Sequence, residues 1–457
     1  MRKLLCIALL LCAGISAHGE TIYAGPVGSD LLSLTEALEM AQDGDVILLA
    51  DGTYDESREK FPLMVEKTVT ICPAEGAQPV LVSPAQTTAM EITGRGAVVQ
   101  GLRFEHIRCA MWILTDDVTV ENCTVSMADE AWRTSSCGIW LAGGKRTTLR
   151  NNVFEGCGIA LAGPPISESS AGLPVLTAMF EVGEDIEFFN THTVENNLVN
   201  GKPLVYLLGV KEQEWSEEAG QLVAVQCENM RFVDVEVEMA SIGIQLAYCR
   251  DIEIDNCRAS KNGIFGIYIM KCDDCVLTDT RADSCSHGID VRDARRVWIA
   301  DCITDGCGQG TFLSWGDDCL VQRCEILDNG TGFFSASGNN NHVDDCRIEG
   351  NELGLYIQHE PIFTLTNTQV NKNTACGLRV TDCGLISVGN TFRKNFVGHL
   401  ALDCYPLTHM ECTFADSEDC DMLIRNGRDV KLVDIRWDGP VEEKVKFVDT
   451  ERYLITK

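Results

Sequence analysis

The sequence predicts an all-β fold, a right-handed parallel β-helix: a solenoid of about 22 residues per coil with an N-terminal capping helix. Three observations carry this prediction: a short Gly-led phrase that recurs at a nearly constant step, a second column of small residues that marches with it, and strict apolar alternation inside each phrase.

The chain opens with the charged residues Met1-Arg2-Lys3, then an uncharged apolar run over 4–15, then Ser16-Ala17-His18-Gly19. This reads as a signal peptide cleaved after Gly19, the apolar run being too short to cross a bilayer. Cys12 follows Leu9-Leu10-Leu11, and a bulky Leu beside the cysteine suits lipid attachment poorly. The mature chain is therefore expected to be secreted or periplasmic, without a transmembrane segment.

Residues 20–60 read as the N-terminal cap and first strand. Leu34, Ala37, Leu38 and Ala41 have helical spacing, and a turn at Asp43-Gly44-Asp45 leads into an apolar strand. A helix covering the exposed first coil is what a solenoid needs. Residues 61–425 carry the repeat. Its phrases begin at Gly243, Gly266, Gly288, Gly310, Gly332, Gly354 and Gly377, with steps of 23, 22, 22, 22, 22 and 23. Gly138-Ile139-Trp140-Leu141 and Gly158-Ile159-Ala160-Leu161 are earlier members. The residues one and three after each Gly are almost all apolar, as in Ile267 and Ile269, and are expected inside; those two and four after it are expected outside. The second column is Cys257, Thr280, Cys302, Cys324, Cys346, Thr368 and Thr391. Regular spacing lapses over about 163–220, which reads as an insertion projecting from one side, and 426–457 reads as a C-terminal cap.

The formal charge of -31 becomes -33 once Arg2 and Lys3 leave with the leader. Such a chain repels phosphate backbones, which argues against nucleic acid and leaves cations, neutral sugars or a basic protein partner. Of 23 cysteines, Cys6 and Cys12 lie in the leader, leaving an odd 21. Their place on the repeat favours buried thiols stacked inside the coil. The competing expectation is a few disulfides between coils, such as Cys302 with Cys324.

The segment 196–206, Asn-Asn-Leu-Val-Asn-Gly-Lys-Pro-Leu-Val-Tyr, and the segment 219–227, Ala-Gly-Gln-Leu-Val-Ala-Val-Gln-Cys, followed by Gly243-Ile244-Gln245-Leu246, resemble the NosD-like family of exported β-helices. The phrase over 44–54 is similar to the cap and first strand of such proteins. The resemblance covers about residues 190–250 as motif. It implies the β-helix fold and an accessory role in maturing a copper enzyme, nitrous oxide reductase. No Met-rich or His-rich copper motif accompanies it, and His192 and His287 stand alone in the sequence.

Candidate site residues fall on the outward slots. The slot two after each Gly holds Tyr268, Asp290, Phe312, Phe334, Tyr356 and Arg379, an aromatic stripe suited to sugar rings. Tyr268, Arg292, Phe312, Trp315, Phe334 and Tyr356 are the expected ligand-binding residues. The column just past the strand reads Asp293, Trp315, Ser337, His359 and Asp382. Asp290, Asp293, Asp317, His359 and Asp382 are the candidates for acid–base catalysis, and the acidic corners could hold calcium. Ser286-His287-Gly288 and Gly316-Asp317-Asp318 look like fragments of the polygalacturonase signature, in the wrong order and without its other parts. The leading expectation is binding of a polysaccharide or glycan, with no cofactor required. A polysaccharide lyase or hydrolase, a NosD-like accessory protein and a surface scaffold are the alternatives.

Overall fold

The computed structural model describes residues 19–83, 87–127, 136–163, 185–440 and 444–456. The leader, apart from Gly19, and the part of the expected insertion over 164–184 lie outside the described residues. Strands account for most of the rest, and they stack as coils of a parallel β-solenoid.

The helix at the N-terminal end spans Leu34–Met40. Ser33 caps it: its hydroxyl accepts from the Glu36 N–H, and the Glu36 carboxylate accepts from the Ser33 N–H. Leu34, Ala37 and Leu38 are buried, as their spacing predicts.

A first stack of coils has three sheets. One runs from Thr21–Ala24 to Thr193–Glu195, another from Gly52–Asp55 to Leu198–Val199, and the third from Leu63–Val65 to Ile159–Leu161. Leu198–Val199 then pairs antiparallel with Lys202–Leu208, which starts a second stack. The free edge of Ile159–Leu161 is closed by side chains of that second stack. Gln221 imitates a strand there: its Oε1 accepts from the Ile159 N–H at 2.9 Å and its Nε2 donates to the Ile159 carbonyl at 2.7 Å. Gln245 donates to the Leu161 carbonyl and Ser241 accepts from the Gly158 N–H.

In the second stack the Gly-led phrases form one face, from Lys202–Leu208 through His287–Arg292 to Val445–Val448. Ile267, Ile269, Ile289, Val291, Leu355 and Ile357 are buried in the lumen. The phrase glycines are required by close approach: a Cβ on Gly266, Gly288 or Gly332 would lie 2.6 Å from the carbonyl oxygen of the next phrase's glycine. Past Arg425, where a cap was expected, the faces continue in Arg428–Val433, Arg436–Trp437, Val445–Val448 and Glu451–Thr456. The last of these strands is exposed along its length.

At a corner one residue takes a left-handed φ, and the next points inward. Asp301 and Cys302, Arg323 and Cys324, Asp345 and Cys346 are such pairs. The inward side chain accepts the backbone N–H of its counterpart one coil earlier. Cys346 Sγ accepts from Cys324 N at 3.4 Å, Thr368 Oγ1 from Cys346 N at 3.2 Å, and Asn390 Oδ1 from Thr368 N at 2.8 Å. The sequence reading placed Thr391 in this column; the structure corrects it to Asn390, and Thr391 pairs instead with Gln369 in the following strand. Any small side chain with an acceptor fits the slot, so Asn belongs there with Cys and Thr. The cysteines from Cys72 to Cys420 are all buried, and none of them forms a disulfide, Cys302 and Cys324 included.

Candidate functional site

The outward positions of the Gly face stack in register. Tyr268 pairs with Asp290, Asp290 with Phe312, Phe312 with Phe334, Phe334 with Tyr356, and Tyr356 with Arg379. The expected stripe therefore exists, but it is not open along its length. Tyr268 and Asp290 are 0% exposed, Arg292 3% and Phe312 5%, whereas Phe334, Tyr356 and Arg379 are partly exposed. The expectation that Tyr268, Asp290, Arg292 and Phe312 face water is thus overturned. Outward from the sheet is not outward to solvent: on the two coils before Tyr268, Gln221 and Gln245 bond the edge of the first stack.

The buried half is a closed polar cluster under aromatic cover. Asp290 accepts from Arg292 at 2.6 and 2.9 Å and lies 2.7 Å from His287 Nδ1. Burial pushes the Asp290 carboxyl up, but Arg292 and His287 outweigh it and hold it below the usual carboxylate range. The Arg292 guanidinium lies over the rings of Phe265, Tyr268 and Phe312. His287, isolated in the sequence, is thus a partner of Asp290.

The open half continues the ladder. Phe312 and Phe334 stack at 4.7 Å, Phe334 meets Tyr356 edge-on at 5.4 Å, and the Arg379 guanidinium sits 4.6 Å from the Tyr356 ring centre. Along one edge runs the corner column. Asp293, Trp315, Ser337, His359 and Asp382 all have φ between 46° and 58°, the left-handed corner conformation. Trp315 is 45% exposed beside the ladder. His359 Nδ1 lies 3.1 Å from Asp382 Oδ2, and both side chains are exposed. Asp293 is held by Lys271 at 2.9 Å and stands three coils, about 14 Å, from His359. Asp317 lies two residues past Trp315, bridged to Arg295 and Asn339 at the start of the next face. Of the five catalytic candidates the structure brings together only His359 and Asp382.

Directly after His359 lies a further carboxylate, which the sequence groups with the outward columns and the structure turns inward. Glu360 takes the inward corner slot, 1% exposed, where neighbouring coils have Cys383, Gly338 and Gly316. The two glycines leave room for its side chain, which bonds Ser335 and lies 3.4 Å from Asn341 Nδ2. Burial raises its pKa to about 7, against smaller lowering by Ser335 and Asn341. The signal available in the sequence was a carboxylate in a column otherwise made of Cys, Ala and Gly. Among the described residues no group of three or more His, Cys, Asp or Glu is placed to hold a metal ion.

A family model described as right handed beta helix region matches residues 85–291 and 242–397. Among solved structures, the A-module of a mannuronan C-5 epimerase from Azotobacter vinelandii is similar, at 13% identity over 92% of this chain and 94% of that one, with a TM-score of 0.38. The periplasmic alginate epimerase AlgG is 12% identical over 90% of this chain and 85% of its own, with a TM-score of 0.33. Pectate lyase Pel9A is 15% identical over 74% of this chain and 80% of its own, with a TM-score of 0.28. No curated protein matches the sequence.

Proposed function

The chain belongs to the right-handed β-helix family, and from that premise we propose that it binds a carbohydrate chain along the open half of its Gly face. One observation carries this reading: Phe334 and Tyr356 form an unbroken, partly exposed ring ladder on successive coils, edged by Trp315. Ring faces on a rigid sheet pack against the apolar faces of sugars, and a contiguous exposed aromatic patch marks a contact site. The leader-like residues 1–19 support a reading in which this binding takes place outside the cytoplasm.

A second reading, cleavage of the bound glycan, is favoured by the contact between His359 and Asp382 beside the ladder. A carboxylate that fixes the tautomer of an exposed imidazole is the arrangement a general base needs.

The test is a glycan and polysaccharide array on the mature protein, run with calcium and with chelator. Binding is expected, and Phe334→Ala with Tyr356→Ala is expected to weaken it at least ~10-fold, two lost stacking contacts being worth roughly 1 kcal/mol each. Product release that stops in His359→Ala would establish the second reading. A blank array would overturn both in favour of the NosD-like accessory role or a scaffold.

A further inference from the structure

We propose that the ligand of this face is an anionic glycan and that Arg379 seats its carboxylate or sulfate group. This inference rests on the carbohydrate reading and adds the substrate class to it.

The first argument is the charge of the face itself. The strands Thr331–Ala336, Leu353–Gln358, Cys376–Thr381, Val397–Leu402, Cys420–Arg425 and Val445–Val448 make its open half. Their outward positions hold Arg379, Arg425 and Lys446 and no Asp or Glu. The single carboxylate on these strands, Asp421, takes the phrase-glycine position and is 0% exposed. This happens in a chain with 68 acidic and 37 basic residues. Lys446 is paired with Asp419, and the acidic excess lies on the corners and the other faces, so among the described residues Arg379 and Arg425 leave the open half of the Gly face a short cationic strip on an anionic molecule.

The second argument is what Arg379 lacks. Several arginines elsewhere are matched across coils: Arg295 with Asp273, Arg296 with Asp274, Arg323 with Asp301. Arg292, on the buried half of this same face, is neutralised by Asp290. Arg379 has no ion pair among the described residues, and its Nε is buried without a hydrogen-bond partner. Its guanidinium sits 4.6 Å from the Tyr356 ring centre, and Leu400 is its register partner one coil on. A guanidinium that is held in place, partly stripped of water and left unpaired is poised for a bidentate oxyanion. The ring beside it and Phe334 beyond would take the sugar.

The third argument is specificity. Net negative charge discourages loose association with polyanions. An anionic glycan must therefore be admitted by a local site, and the strip supplies one.

The experiment measures affinity by calorimetry for four polymers: a polyuronate, the same polymer after carboxyl reduction, dextran sulfate and dextran. The intact protein is compared with Arg379→Gln and Arg379→Lys, with thermal unfolding used to confirm that each variant is folded. The expected result is that one charged polymer binds at least ~10-fold more tightly than its neutral counterpart, and that Arg379→Gln removes most of that preference. Arg379→Lys should restore part of it. Which charged polymer wins identifies carboxylate or sulfate. Equal binding of charged and neutral polymers, unaffected by Arg379→Gln, would overturn this inference and leave the carbohydrate reading standing. Loss of all binding to every polymer in the unaltered protein would overturn both.

Discussion

Glu360 shows how one side chain can set the pH response of a whole solenoid. Its carboxyl is raised to about 7 by burial, against an ordinary 4.5. Below the ordinary value both the folded and the unfolded chain keep the proton. As pH rises further, the unfolded chain gives the proton up first, so stability falls until the folded carboxyl also ionises near 7. At about 1.4 kcal/mol per pH unit, this removes about 3 kcal/mol between pH 4.5 and 7. Glu360→Gln keeps the shape without the titration. The variant is expected to match the parent at pH 4.5 and to exceed it by up to about 3 kcal/mol at pH 8, read from urea midpoints at the two pH values. Equal midpoints at pH 8 would show that Glu360 is already ionised without penalty. His287 and Asp290 carry a further lesson at this scale. They stand three residues apart on one strand, a spacing that alternation alone would put on opposite faces, and yet they share a short contact.

At the scale of the element, the unit is the corner. A left-handed residue turns the chain, and the side chain after it serves the coil before. Asn351 accepts from the Asn329 N–H at 2.9 Å and donates to the Ile326 carbonyl and to Asn373. Asn351→Ala leaves a buried N–H and a buried carbonyl unsatisfied and is expected to cost about 3 kcal/mol. Asn351→Cys, which copies the residue at the same slot in Cys307, should cost less. A chemical denaturation series on the two variants checks the order. The 22-residue step was legible because a Cβ on most phrase glycines would meet the backbone of the next coil and because the lumen is filled largely by apolar side chains. The slip at Thr391 arose because chemical likeness to Thr368 was weighed above position. The slot selects for an acceptor, and Asn390 supplies it.

At the scale of the molecule, the fold class, the capping helix and the outward ladder were all readable from local pattern. Which half of the ladder meets water was not. That depends on contacts such as Ser241 with Gly138, 103 residues apart, and on Gln221 completing a strand it does not belong to. No periodicity in a single chain records a contact between stacks. The two ends of the solenoid also differ: the first coils are covered by Leu34–Met40, while Glu451–Thr456 is exposed along its length. In a stack where each coil leans on its neighbours, opening should begin at the uncovered end. Hydrogen exchange is expected to be fastest in residues 420–456 and slowest in the middle coils. Uniform exchange along the second stack would show a single cooperative unit instead.

The buried thiols have a consequence beyond packing. Cys72 lies near one end, Cys420 near the other, and most coils between carry at least one, none of them tied in a disulfide. Alkylation requires a thiolate that water can reach, so each cysteine stays silent until its own coil lets go. The chain thus keeps a written log of its unwinding, with the order of modified cysteines as the time axis.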